Sequence, residues 1–154
     1  MNLSTAKYVF TITGGGFTPA YELYVITKDK HVCYLNDPQI LKKDITELDK
    51  EPEYLFDLPE MLDFTKHGNN VGFAAPDCTM YKVKNDKLRP LYCVGMYRNT
   101  PAVDTIIEMH CRHQHGLSLV SDANIESKKP RHNSLVSSIK SYLRFKTNNF
   151  LGRM

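Results

Sequence analysis

Leu91-Tyr-Cys-Val-Gly-Met-Tyr97 runs straight into Arg98-Asn-Thr-Pro101, and the expected architecture hinges on this junction. A short run that is nearly all apolar reads as a strand buried on both faces, which places Leu91 to Tyr97 in the middle of a sheet. A helix is signposted immediately afterwards. Thr100 suits the N-cap, Pro101 suits the first helical position, and Val103, Ile106, Ile107 and His110 share one face before Gly116 ends the helix. Leu117-Ser-Leu-Val-Ser121 reads as a second buried strand. Pro130 then precedes a last helix whose Leu135, Val136, Ile139, Tyr142 and Leu143 form an amphipathic stripe. Strand, helix and strand in that order imply a right-handed crossover with the two strands parallel. The region from Leu88 to Phe145 is therefore expected to be a strand–helix–strand–helix unit of an α/β (α+β) domain.

Working outward toward the N-terminus, the pattern changes to short strands with tight connections. Lys7 to Thr13, Tyr21 to Thr27 and His31 to Leu35 are rich in β-branched and aromatic residues. Gly14-Gly15-Gly16 and Lys28-Asp29-Lys30 separate them, as in an antiparallel meander. No Gly-Lys-Ser/Thr follows the triple glycine, so it does not resemble a nucleotide loop. Asp37 and Pro38 start a short helix reaching about Lys43, and Asp44 to Glu47 repeats a capping-box-like spacing. Pro52 and Pro59 break the acidic region, so residues 51–70 read as helical turns and loop whose apolar cluster (Tyr54, Leu55, Phe56, Leu58, Met61, Leu62, Phe64) docks on the sheet. Val71 to Ala75 is a short strand candidate. Cys78 to Lys84 alternates like a half-exposed strand, and Asn85-Asp86-Lys87 turns the chain back toward Leu91. The meander thus continues into a mixed sheet. The expectation is one α/β domain over residues 1–145 and a basic tail over residues 146–154.

Length and composition fit that frame. A chain of 154 residues with 42% apolar and 24% charged residues has the make-up of a single globular domain. No apolar run approaches the roughly 20 residues that span a bilayer, and Met1 to Lys7 lacks the features of a signal peptide, so no membrane partner and a cytoplasmic location are expected. Cys33, Cys78, Cys93 and Cys111 are widely scattered, and three of them sit inside apparent strands or a helix in apolar company, which suits reduced, structural thiols. Charge is segregated along the chain. Residues 44–63 are acidic apart from Lys50, whereas from residue 128 onward Lys128, Lys129, Arg131, Lys140, Arg144, Lys146 and Arg153 stand with no acidic residue. That pattern points to two offsetting solvated faces, or to a basic C-terminal surface that meets an anion.

Three places have side chains suited to chemistry. His110-Cys111-Arg112-His113-Gln114-His115 concentrates metal-ligating types, and His110 and His113 share a helical face. A second ligand pair at a recognisable spacing is missing, and histidines at a helix C-terminus also complement its dipole, so no metal is expected. Ser121, Asp122 and Asn124 follow the second buried strand at its C-terminal end, the edge where ligands gather in open α/β sheets. The final helix and tail interleave Arg131, Lys140, Arg144 and Lys146 with Tyr142 and Phe145, and cations in that setting supply the sequence-independent part of nucleic-acid affinity.

The stretch from Leu91 to Leu143 resembles the second half of the GNAT superfamily of acyl-CoA-dependent N-acyltransferases. Leu91 to Tyr97 is similar to its strand before the pyrophosphate turn, Pro101 to Gln114 to the helix after it, and His115-Gly-Leu-Ser-Leu-Val-Ser-Asp122 to the next strand of divergent, often viral, members. The family turn is Arg/Gln-x-x-Gly-x-Gly/Ala; Arg98-Asn-Thr-Pro101-Ala-Val103 keeps the arginine and neither glycine. The resemblance implies that acetyl-CoA or another acyl-CoA lies by Arg98, Asn99 and Thr100, with Tyr142 as general acid and a small amine or a protein as substrate. It implies equally a relative that has lost catalysis. The residues themselves support an alternative: an accessory or interaction protein of the viral type, whose basic C-terminal face binds nucleic acid or a host protein.

Overall fold

The computed structural model describes residues 1–15, 20–68, 76–117 and 119. The chain divides into two units, Met1–Leu119 and Val120–Met154, and the second lies wholly outside the described residues. The first unit is α+β. Six strands, β1 (Ala6–Gly14), β2 (Ala20–Thr27), β3 (His31–Asn36), β4 (Glu53–Asp57), β5 (Asp77–Lys84) and β6 (Lys87–Gly95), precede one helix, α1 (Pro101–Gln114). They form a single sheet in the order β4-β3-β2-β1-β5-β6, and every pairing is antiparallel.

The N-terminal meander is as the alternation predicts. Two-residue periodicity sends Tyr8, Phe10 and Ile12 to one face of β1 and Val9 and Thr11 to the other, and both faces are covered. Toward α1, Phe10, Tyr24, Ile26, Val32, Phe56 and Met80 pack with Val103, Ile106 and Met109. On the opposite face, Val9, Leu23, Val25 and Leu35 pack with Leu3, Ile40, Ile45 and Leu48. Ile40 and Ile45 come from two short 3-10 turns, Pro38–Leu41 and Ile45–Glu47. Asp37 and Asp44 cap these turns by accepting from the amides of Gln39 and Thr46, each at 2.9 Å. Burying apolar side chains on both faces of β1 and β2 supplies the main driving force for this sheet.

Three expectations require correction. The run at residues 91–97 is not buried on both faces. Its strand is Lys87–Gly95, last in the order of the described strands, where only Val94 and Gly95 are buried and Leu91 is 39% exposed. The strand that is buried on both faces is β1. Residues 51–70 are not only turns and loop, because Glu53–Asp57 joins the sheet as β4, beside β3. Its Phe56 and Leu58 are buried, whereas Tyr54 and Met61 of the same apolar cluster are exposed. Finally, Cys78 is buried and Cys33 half-buried, but Cys93 and Cys111 lie exposed, so two of the four free thiols, not three, are withdrawn from solvent.

The expected strand at residues 71–75, most of that at residues 117–121, the last helix and the tail at residues 146–154 fall outside the described residues. The mixed sheet and its parallel pair therefore have no counterpart among the described strands. Among the described residues no helix is long and apolar enough to cross a membrane.

Candidate functional site

The turn from β6 into α1 holds Arg98, Asn99 and Thr100 together. Met96 adopts a left-handed conformation (φ 75°), and its amide donates to the Pro76 carbonyl at 2.9 Å. One 3-10 turn, Tyr97–Asn99, follows. Pro101 occupies the start of α1, where its missing N–H costs nothing. Thr100, in the N-cap position, makes no capping hydrogen bond. Its side chain is fully buried, and its hydroxyl donates to the Tyr97 carbonyl within the turn. The loop at Gly68 closes over the same place: its amide donates to the Asn99 carbonyl, and a Cβ there would come within 3.1 Å of Asn99 Cβ. Arg98 is exposed and lines a cavity of about 240 Å³ with Pro76, Met96 and Tyr97. The three expected cofactor residues are thus adjacent in space, but only Arg98 presents an uncommitted polar group to solvent; the turn is folded on itself.

At the other end of α1 lies a polar network that the sequence pattern does not single out. His110 is buried, with its Nδ1 3.0 Å from the Tyr24 hydroxyl and its Nε2 3.1 Å from Gln114 Nε2. The Tyr34 ring meets the imidazole edge-on at 4.4 Å, and the Tyr34 hydroxyl donates to Glu22 Oε1 at 3.4 Å and accepts from Asn36. These strand residues share a face because Glu22 pairs with Asn36 and Tyr24 with Tyr34 across β2 and β3. Burial depresses the His110 pKa, helped by nearby His113, whereas burial raises those of Glu22, Tyr24 and Tyr34. Each shift favours the neutral form. Every buried side-chain nitrogen and oxygen among the described residues has a partner. The network is therefore suited to locking α1 on the sheet rather than to moving protons. The signal that finds it is combined: aromatic residues at alternating strand positions, and a histidine on the apolar stripe of a helix.

His113 and His115 are exposed, and both ring nitrogens of His110 are already engaged, so α1 does not gather the histidines round a common point. Among the described residues no group of three His, Cys, Asp or Glu side chains is placed to hold a metal ion. Tyr142, Ser121, Asp122 and Asn124 lie outside the described residues. A second cavity, of about 430 Å³, opens on the sheet face opposite α1 between Thr11, Thr13, Thr79, Tyr81 and the Ile40–Ile45 stretch. Its charged members are occupied, Lys43 by Asp49 at 2.7 Å and Asp44 by Thr46. It has the hydroxyls of a polar groove but no acid–base pair.

The chain matches no family model, no curated protein and no solved structure. Over residues 1–119 the 15 acidic side chains exceed the 13 Lys and Arg, whereas residues 120–154 hold seven Lys and Arg against Asp122 and Glu126. The net positive charge of the chain thus comes from its last quarter.

Proposed function

We propose that the protein is a non-catalytic accessory module that binds nucleic acid through its basic C-terminal segment. The observation that carries this reading is the charge segregation: seven cations and no carboxylate from residue 128 to the end, attached to a unit of slight negative charge. Cations in such a run neutralise phosphates and release counterions, which gives affinity without sequence preference. The closed turn at Thr100 and the fully partnered network round His110 support a binding role over a catalytic one. Titrating the full chain into labelled single-stranded DNA and RNA at increasing salt tests the reading. Tight binding that weakens steeply as salt rises is expected. Indifference to both nucleic acids at low salt removes the proposal and leaves a protein partner as the remaining interaction reading.

A second reading is favoured by one feature, exposed Arg98 at the mouth of a cavity immediately before a helix N-terminus. On that reading the chain is a GNAT-like acyltransferase or a degenerate relative. Arg98, Asn99 and Thr100 would flank acyl-CoA, residues 117–121 would run parallel to β6 in a mixed sheet, and Ser121, Asp122 and Asn124 would line its edge. Tyr142 would serve as general acid toward a small amine or a protein amine. Calorimetric titration with acetyl-CoA decides it: heat that disappears in Arg98→Ala is expected, and no heat at millimolar cofactor sinks it.

A further inference from the structure

We infer that the far end of the β5–β6 hairpin is a second polyanion-binding surface, shaped for single-stranded nucleic acid; the inference rests on the nucleic-acid reading above and extends it to the folded unit. The antiparallel register sets Lys82 opposite Arg89 and Lys84 opposite Lys87. Residues directly opposite on one face of a sheet have Cβ atoms about 5 Å apart, where like charges destabilise the pairing. Two such pairs in succession are a cost to folding. All four side chains are exposed, and among the described residues none of them takes part in an ion pair.

Their placement is directed. Lys82 and Lys84 continue the face that carries Cys78 and Met80 toward α1, whereas Tyr81, Val83 and Leu88 pack on the opposite face. The four cations therefore form one ladder on one face, with β6 the outermost of the described strands. Charge on an edge strand also deters pairing with other chains. Either sign of charge would serve that purpose, and it does not call for four cations facing one another.

Further along β6 on the same face stands an aromatic shelf. The Tyr92 hydroxyl donates to the Phe64 carbonyl at 2.9 Å, which fixes the ring, and exposed His67 lies against it with ring centroids 4.3 Å apart. A cationic ladder that tracks phosphates beside rings on which bases stack is the arrangement that single strands favour.

The test uses the full chain with three sets of substitutions: Lys82→Gln, Lys84→Gln, Lys87→Gln and Arg89→Gln together; His67→Ala; and, in the C-terminal segment, Lys128→Gln, Lys129→Gln and Arg131→Gln. Binding to a single-stranded oligonucleotide is measured across a range of salt. The hairpin set is expected to weaken binding at least tenfold and to flatten the log–log salt slope by about 3, four phosphates' worth for a single strand. Its thermal midpoint is expected to stay level or rise, because the opposed charges are gone. His67→Ala is expected to lose about fivefold or more with the salt slope unchanged. If the wild-type chain binds and only the C-terminal set weakens it, the hairpin inference falls while the nucleic-acid reading stands. If the wild-type chain does not bind at all, both fall. If the hairpin set loses retention on phosphatidylserine vesicles but keeps its oligonucleotide affinity, the surface belongs to membranes and the inference is overturned.

Discussion

The imidazole of His110 shows how one side chain carries a pH dependence. It faces Tyr24 of β2 and Tyr34 of β3, the latter bonded to Glu22, with His113 and Gln114 beside it on α1. Burial holds its pKa below the ordinary 6.5, helped by His113. The unfolded chain therefore takes up this proton at a higher pH than the folded one, and below about 6.5 the unfolded state holds more protons. Stability contributed by neutral His110 is present above that pH and is lost as pH falls through the depressed value. Glu22 acts in the opposite sense: its raised pKa makes stability fall as pH climbs above 4.5. Replacing His110 with Gln keeps a polar group but removes the titration. Denaturant midpoints of wild type and H110Q are expected to lie furthest apart near pH 8 and to converge toward pH 5. A gap that does not change with pH refutes the assignment. The helical spacing of Val103, Ile106, Ile107 and His110 makes the buried position of this histidine legible in the sequence. Its partners are not, because Tyr24 and Tyr34 meet it only once β2–β3 register and helix docking are both set.

Among the elements, α1 is the most legible because its signals are local and agree. Proline at its first position, an apolar stripe and a left-handed glycine just past its end all hold. Gly116, at φ 65°, closes a Schellman motif in which its amide donates to the His113 carbonyl at 3.0 Å and the Leu117 amide to the Arg112 carbonyl at 2.9 Å. Ile106 of this helix is fully buried in the core that joins it to the sheet. Ile106→Ala is expected to cost about 2–5 kcal/mol, through lost transfer energy and the cavity left behind. A loss under about 1 kcal/mol in urea denaturation would mean that α1 does not hold this sheet face. The β5–β6 hairpin is a contrasting case. Its two-residue turn places Asn85 and Asp86 at φ 53° and 54°, the conformation in which Asn-Gly is preferred. Asp86→Gly is therefore expected to stabilise the hairpin by about 0.5 kcal/mol, measured at high salt so that loss of the carboxylate is screened. A lower thermal midpoint would contradict the turn assignment. The strand after that turn is harder to read, since an apolar run does not reveal which of its neighbours cover it. The run at residues 91–97 owes its apolar character to its C-terminal end, where Val94 and Gly95 pass under the core, and to Tyr92, which packs on Phe64 and His67. The position of β4 is hidden for a related reason: prolines at 52 and 59 bracket it and mimic a loop, yet Glu53–Asp57 between them holds a long-range pairing with β3.

Across the whole described unit, the order β4-β3-β2-β1-β5-β6 puts the first strand of the chain at its centre. That has a consequence for where stability resides. β1 pairs with β2 and β5 through long registers, irregular only near its start between Ala6 and Tyr8, and is covered on both faces by the two cores. Among the described residues β4 and β6 each have one neighbour. Their registers slip, between Val32 and Cys33 opposite β4 and between Met80 and Tyr81 opposite β6, and Pro90 supplies no amide to β6. Opening an edge exposes little apolar surface, whereas opening β1 exposes both cores at once. Amides of β1 and β2 should therefore exchange only through global unfolding, and those of β4 and the Lys87–Arg89 end of β6 through smaller local openings. Peptide-resolved hydrogen exchange checks this in one series: protection over residues 8–12 and 23–26 is expected to track the global stability as denaturant is added, while that over 53–57 and 87–89 stays low and nearly constant. The opposed cations of the hairpin sharpen the expectation, because raising salt screens Lys82–Arg89 and Lys84–Lys87 and should slow exchange at that end of β6 with less effect on β4. Equal protection in β1 and β6 would mean that the sheet opens as a single unit and that its edges are held by contacts other than those with their described neighbours.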